Sequence, residues 1–171
     1  MCNNSEIWQG CYKSNFDLWS PESFCHPAKM APGLCFKIFD HLSELGLLQP
    51  GLTILDPMGG IGTTPLVACS LGYRAVTVEL EERFIGFQRQ NKEYAARKLG
   101  KPLDWQIIQG DSRKLSELLS EHCVTVTSPP YGDSLNEAKN TTSNLKREER
   151  LRTAGHEPKE FMGGTARNAS L

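Results

Sequence analysis

The chain has 171 residues, 39% hydrophobic and 23% charged, with a net charge of −1. That length allows one domain with a sizeable core, and the charge supplies no global basic field of the kind that advertises nucleic acid, although a local patch is compatible with it. No apolar run approaches the ~20 residues of a bilayer span, so no membrane partner is expected.

Residues 1–25 read as an irregular polar arm with scattered aromatics, Trp8, Tyr12, Phe16, Trp19 and Phe24, which pack on the domain or stack on a base. Met1 to Glu6 show neither the basic nor the apolar region of a secretion signal. The six cysteines include no C-x-x-C pair, so a cytoplasmic setting is expected. Cys11, Cys25 and His26 match no usual zinc spacing, and no metal site is expected.

His26-Pro27-Ala28-Lys29 leads into a helix on which Leu34, Ile38, Leu42 and Leu45 fall at helical spacing, joined by Cys35 and Phe39, with Gly46 as the stop. This helix is expected to deliver the H-P-A-K turn to the next motif; the alternative for His26 and Lys29 is a solvated turn.

Leu52 to Leu55 then read as a buried strand ending on Asp56 and running into Pro57-Met58-Gly59-Gly60-Ile61-Gly62-Thr63-Thr64. Thr63, Thr64, Leu66, Val67, Ala68 and Leu71 fit a following helix. Strand, glycine turn and helix N-terminus make a nucleotide-sized pocket in an open α/β sheet, and glycines admit close approach of a ligand to the backbone. Asp56 would repel a pyrophosphate but suits a ligand carrying an ammonium and a sulfonium. Pro65 and Leu66 also occupy the place of the third glycine of G-x-G-x-x-G. Both features favour S-adenosyl-L-methionine over NAD; the alternative is an ordinary tight turn.

A second strand, Tyr73 to Val78, ends at Glu79, where a carboxylate can accept from both ribose hydroxyls. The helix from Glu81 to about Lys98 is expected to face the core with Phe84, Phe87 and Tyr94. A third strand, Trp105 to Ile108, leads to Gly110-Asp111-Ser112, where Asp111 caps a helix over 112–120 or accepts from an adenine amino group. A fourth strand, Cys123 to Thr127, runs into Ser128-Pro129-Pro130-Tyr131-Gly132-Asp133, a loop stiffened by two prolines. Residues 134–171 are polar and lean basic, with one amphipathic helix plausible from Ser143 to Ala154.

From His26 to Asp133 the series H-P-A-K, D-P-M-G-G-I-G-T-T, an acid at Glu79, G-D-S and T-S-P-P-Y-G resembles the S-adenosylmethionine-dependent DNA methyltransferases that modify exocyclic amino groups, N4 of cytosine or N6 of adenine. The resemblance implies an α/β, Rossmann-like methyltransferase fold in residues 26–133. It implies that Lys29, Asp56, Pro57, Met58, Gly59, Gly60, Gly62, Thr63, Thr64, Glu79, Asp111 and Ser112 hold the cofactor, and that Ser128, Pro129, Pro130 and Tyr131 receive the target base of a DNA substrate. Ser128 and a proline carbonyl would accept the two N–H bonds of the amine and aim its lone pair at the methyl group, with Tyr131 stacked on a base taken out of the duplex. The S-P-P-Y loop contains no cysteine, which disfavours methylation at a ring carbon. Related enzymes that act on RNA share a P-P-Y loop, so RNA is the alternative substrate, and a non-catalytic cofactor-binding subunit is a third reading. The family's sheet has seven strands. Four are legible here, in the order 3-2-1-4, so the chain is expected to hold the cofactor-binding half, with weak or no methyl transfer alone, completed by a second chain or a missing C-terminal part.

Overall fold

A computed structural model describes residues 7–12, 15–25, 29–119 and 123–129. The chain divides into two compact units, one of Met1–Phe24 with Lys29–Ser128 and one of Cys25–Ala28 with Pro129–Leu171. The second contributes only Cys25 and Pro129 to the described residues, so His26, Pro130, Tyr131 and the tail from 134, with its expected helix, lie outside them.

The core is a parallel four-stranded sheet in the order β3-β2-β1-β4: β1 (Thr53–Asp56), β2 (Arg74–Glu79), β3 (Trp105–Gln109) and β4 (Cys123–Thr125). The α/β class is the one expected from the alternating pattern, and the strand order is the one the family resemblance implied. The register pairs Ile54 with Ala75 and with Val124, and Ala75 with Trp105. β1 and β2 are apolar and β-branched because both of their faces are covered, which is the signature of a parallel sheet interior.

Between the strands run α2 (Thr63–Ser70) and α3 (Glu82–Leu99), preceded by α1 (Pro32–Glu44) and followed by α4 (Leu115–Leu118). α2 packs against β1, β2, α1 and α3. Buried on every side from Thr63 to Cys69, it has no polar face to present to water. α1 begins with Pro32, whose missing N–H costs nothing in a first turn, and its chain turns at Gly46, which takes φ +70°.

On α1 the expected Cys35 and Phe39 are the deeply buried side chains and Ile38 and Leu42 pack against the core, while Leu45, also expected on that face, is 58% exposed. The face of α3 is corrected. On α3 the buried positions are Ile85, Gln88, Asn91 and Ala95, whereas Phe84, Phe87 and Tyr94 are half-buried. Aromatic residues pulled the sequence reading one position away from the true inner face. The helix expected over 112–120 is a 3-10 turn, Ser112–Lys114, followed by the short α4. The arm is packed: the Phe16 ring meets Trp19 and Phe36 edge-on, and Lys98 pairs with Asp17 at 2.7 Å. Among the described residues no helix is long and apolar enough to cross a membrane.

Candidate functional site

The carboxyl ends of β1, β2 and β3 bring Asp56, Glu79 and the Gly110–Ser112 turn to one edge of the sheet. The glycine loop between β1 and α2 is stitched to its neighbour strand, since Gly59 N–H donates to Val78 O at 3.0 Å. Gly60 N–H donates to the Glu79 Oε2 at 2.7 Å, and Glu81 N–H donates to Oε1 at 3.0 Å. The acid of β2 is thus fixed against the loop, with the Leu80 backbone as a further donor. Burial pushes the Glu79 carboxyl above the ordinary value, against the pull of these backbone donors.

Asp56 occupies a more internal position than its expected role of facing an ammonium. It is 4% exposed. Its Oδ1 accepts from Met58 N at 3.1 Å and from the Thr127 hydroxyl at 2.8 Å, and its carboxylate also bonds the Thr64 side chain. Desolvation raises its pKa, with the three donors opposing. The carboxylate therefore organises the loop. Thr63 and Thr64 are likewise buried; Pro57 and Gly60 are half-buried, and Met58 is exposed.

Two glycines of the loop are required by the protein's own interior. A Cβ on Gly59 would lie 2.6 Å from Gln88 Nε2 and 3.0 Å from Thr77 Cβ. One on Gly62, at φ +87°, would lie 2.3 Å from the Trp105 ring. The expectation that glycine serves ligand approach gives way at these two positions to packing from behind.

Asp111 caps the 3-10 turn, accepting from Arg113 N at 3.0 Å, as one of the two readings of it expected. Both of its oxygens also face the Arg113 guanidinium, with Nε to Oδ1 at 3.0 Å and Nη2 to Oδ2 at 2.6 Å. This holds the carboxyl at about 2. An adenine amino group would have to share those oxygens. Ser112 and Ser128 are half-buried, Pro129 is exposed, and Lys29 is half-buried beside the start of α1. Pro130 and Tyr131 fall outside the described residues. No group of His, Cys, Asp and Glu able to hold a metal occurs among the described residues.

The sequence reading missed Thr127, Gln88, Asn91, Thr77 and Trp105, all of which hold the loop or its neighbours through hydrogen bonds. A signal existed for two of them. Gln88 and Asn91 are amides on the inner face of a helix, where apolar residues belong, and such residues need buried partners.

The model of the RMKL-like methyltransferase-domain family, UPF0020, matches residues 23–156. The chain belongs to that family. As an RMKL-like methyltransferase domain it has the Rossmann-like α/β fold expected, and S-adenosyl-L-methionine is the cofactor consistent with it. The likeness to DNA enzymes is thereby upheld at the level of methyl transfer. No curated protein matches. Similar solved structures include TrmN from Thermus thermophilus, 27% identical with a TM-score of 0.49, over 66% of this chain and 31% of that one. The C-terminal domain of precorrin-6Y C5,15-methyltransferase from Rhodobacter capsulatus is 17% identical, with a TM-score of 0.47, over 81% of each chain. The tRNA (uracil-54, C5)-methyltransferase of Pyrococcus abyssi, crystallised with S-adenosyl-L-homocysteine, is 18% identical, with a TM-score of 0.42, over 75% of this chain and 29% of that one. This methyltransferase domain thus spans about a third of the length of TrmN.

Proposed function

We propose that the chain is the cofactor-binding part of an S-adenosyl-L-methionine-dependent methyltransferase that acts on an exocyclic amino group of a base in nucleic acid, with RNA as the substrate. The observation that carries the donor assignment is the Gly60–Glu79 contact of 2.7 Å, which sets a carboxylate at the β2 tip against a glycine loop. The acceptor capacity left to that carboxylate suits a ribose hydroxyl. Gly60, half-buried, supplies a loop position without a side chain, and the buried carboxylate of Asp56 favours a cationic donor over a dinucleotide. When bound, the donor supplies an electrophilic methyl carbon on a positive sulfur.

The chain's own residues then position the acceptor. Ser128 Oγ and the Pro129 carbonyl accept the two amine N–H bonds, and Tyr131 stacks on the base. The amine nitrogen forms the new C–N bond as the C–S bond breaks, its electron pair stays on sulfur, and the amine's extra proton leaves to solvent. No strong base is needed before attack, because that proton becomes acidic once the methyl group is on.

The family match supports methyl transfer, and the P-P-Y loop is common to enzymes of both substrates, so RNA is our first reading. DNA remains the second reading, carried by the S-P-P-Y and glycine-loop likeness. Transfer of a labelled methyl group from the donor to total RNA and to genomic DNA, compared side by side, tests this. Label in RNA amino groups is expected, and label in DNA alone would overturn it.

A further inference from the structure

The glycine loop is held from behind by a polar layer in a place that packing alone would fill with leucine. Gln88 and Asn91 stand one helical turn apart on the inner face of α3, and both are fully buried. Their amides donate to consecutive carbonyls of the loop: Gln88 Nε2 to Gly60 O at 2.9 Å, and Asn91 Nδ2 to Ile61 O at 2.8 Å. The opposite ends of both amides are also engaged. Asn91 Oδ1 accepts from Ser20 N at 2.7 Å. Gln88 Oε1 accepts from the Thr77 hydroxyl at 2.6 Å, and that hydroxyl accepts from Trp105 Nε1 at 2.9 Å.

The chemistry fixes which way each amide points. Carbonyls only accept and the Ser20 N–H only donates, so Asn91 has one orientation that satisfies both. The indole N–H forces Thr77 to receive it and to pass its own proton toward Gln88 Oε1, which turns Gln88 Nε2 onto Gly60 O. Because a trans peptide is planar, with C=O and N–H on opposite sides, pinning the Gly60 and Ile61 carbonyls inward aims the next N–H in each unit away from α3. For Gly62 that N–H closes the turn onto Gly59 O at 2.8 Å.

We infer that Gln88 and Asn91 are positioning residues for methyl-donor binding: they set the peptide planes of residues 60–62 from the rear, so that the loop is shaped for the donor before it arrives. This rests on the reading of that loop as the donor site. Pre-shaping saves ordering cost on binding, and a buried amide that gained nothing from its partners would be a liability.

The test measures affinity for S-adenosyl-L-homocysteine by calorimetry, on the full chain, at a temperature where each variant is folded by circular dichroism. Gln88→Met removes the bond to Gly60 O and keeps the volume. Ser70→Ala removes a hydrogen bond of α2, from the Ser70 hydroxyl to Val67 O, that does not touch the loop or its amides. The inference expects Gln88→Met to bind roughly tenfold more weakly or worse, the loss of about one hydrogen bond's worth of loop order, while Ser70→Ala stays within about threefold of the parent. Equal losses in the two variants, or none in either, would overturn it. On the unmodified chain, the side-chain amide protons of Gln88 and Asn91 are expected to shift in NMR spectra as S-adenosyl-L-homocysteine is added; unmoved signals at saturation would also overturn it. A parent chain that binds no S-adenosyl-L-homocysteine at all would instead remove the donor reading beneath the inference.

Discussion

The Thr127 hydroxyl donates to Asp56 Oδ1 at 2.8 Å, joining the residue before Ser128 to the tip of β1. The glycine loop and the start of the S-P-P-Y loop are therefore anchored on one buried carboxylate. Thr127→Val keeps the shape and deletes the donor. It is expected to lower unfolding free energy by about 1–3 kcal/mol, because a buried acceptor loses a partner, with Thr127→Ser recovering most of it. Urea denaturation of the three proteins checks this.

Gly62 tests the steric argument. Gly62→Ala faces both the strain of φ +87° and a ring atom of Trp105 at 2.3 Å. Strain and overpacking together are expected to cost roughly 3 kcal/mol or more. Adding Trp105→Leu to Gly62→Ala should recover the overpacking share and leave the backbone share, a departure from additivity that a double-mutant cycle in urea measures.

Asp56 also sets a pH dependence. Its folded pKa is raised above the ordinary 3.8 by burial, so the native state binds the proton more readily than the unfolded chain. Stability from this group is thus present at low pH and falls as pH rises from about 3.8 through the raised folded value. Asp56→Asn lacks that titration. The parent's stability relative to Asp56→Asn is expected to be more favourable near pH 4 than at pH 7, as denaturation at a series of pH values would show.

Arg113 and Asp111 separate two roles. If Asp111 serves mainly as a cap, Asp111→Asn should cost little in donor affinity, since asparagine also caps. If the carboxylate also meets the adenine amino group, Asp111→Asn weakens binding while Arg113→Ala, which frees both oxygens, does not. The account predicts the second pattern in calorimetric titrations with S-adenosyl-L-homocysteine.

How much of this was legible beforehand follows from what periodicity can carry. The four strands were readable because three of the apolar runs end on an acid or a glycine turn and the fourth on two prolines, and parallel sheets interleave such runs with helices; their order came from the family resemblance. The inner face of α3 was not, because Gln88 and Asn91 are polar and a search for apolar spacing skips them. Asp56, Glu79 and Asp111 were named from their places at strand tips. Their partners, Thr127, Gly60 and Arg113, depend on side-chain directions that spacing does not give. Gly59 and Gly62 were noticed for the right motif and given the wrong cause, since the Gln88 and Trp105 contacts come from segments distant in sequence.

In the proposed function, the glycine loop and Glu79 bind S-adenosyl-L-methionine. Calorimetric titration of that donor, and of S-adenosyl-L-homocysteine, into the folded chain tests it most directly, with Glu79→Gln as the paired variant. The account predicts saturable heat at one site per chain, and roughly tenfold or greater weakening in Glu79→Gln, which loses charge-assisted acceptance of ribose hydroxyls. Absence of heat from well-folded protein, or equal affinity in Glu79→Gln, would contradict it.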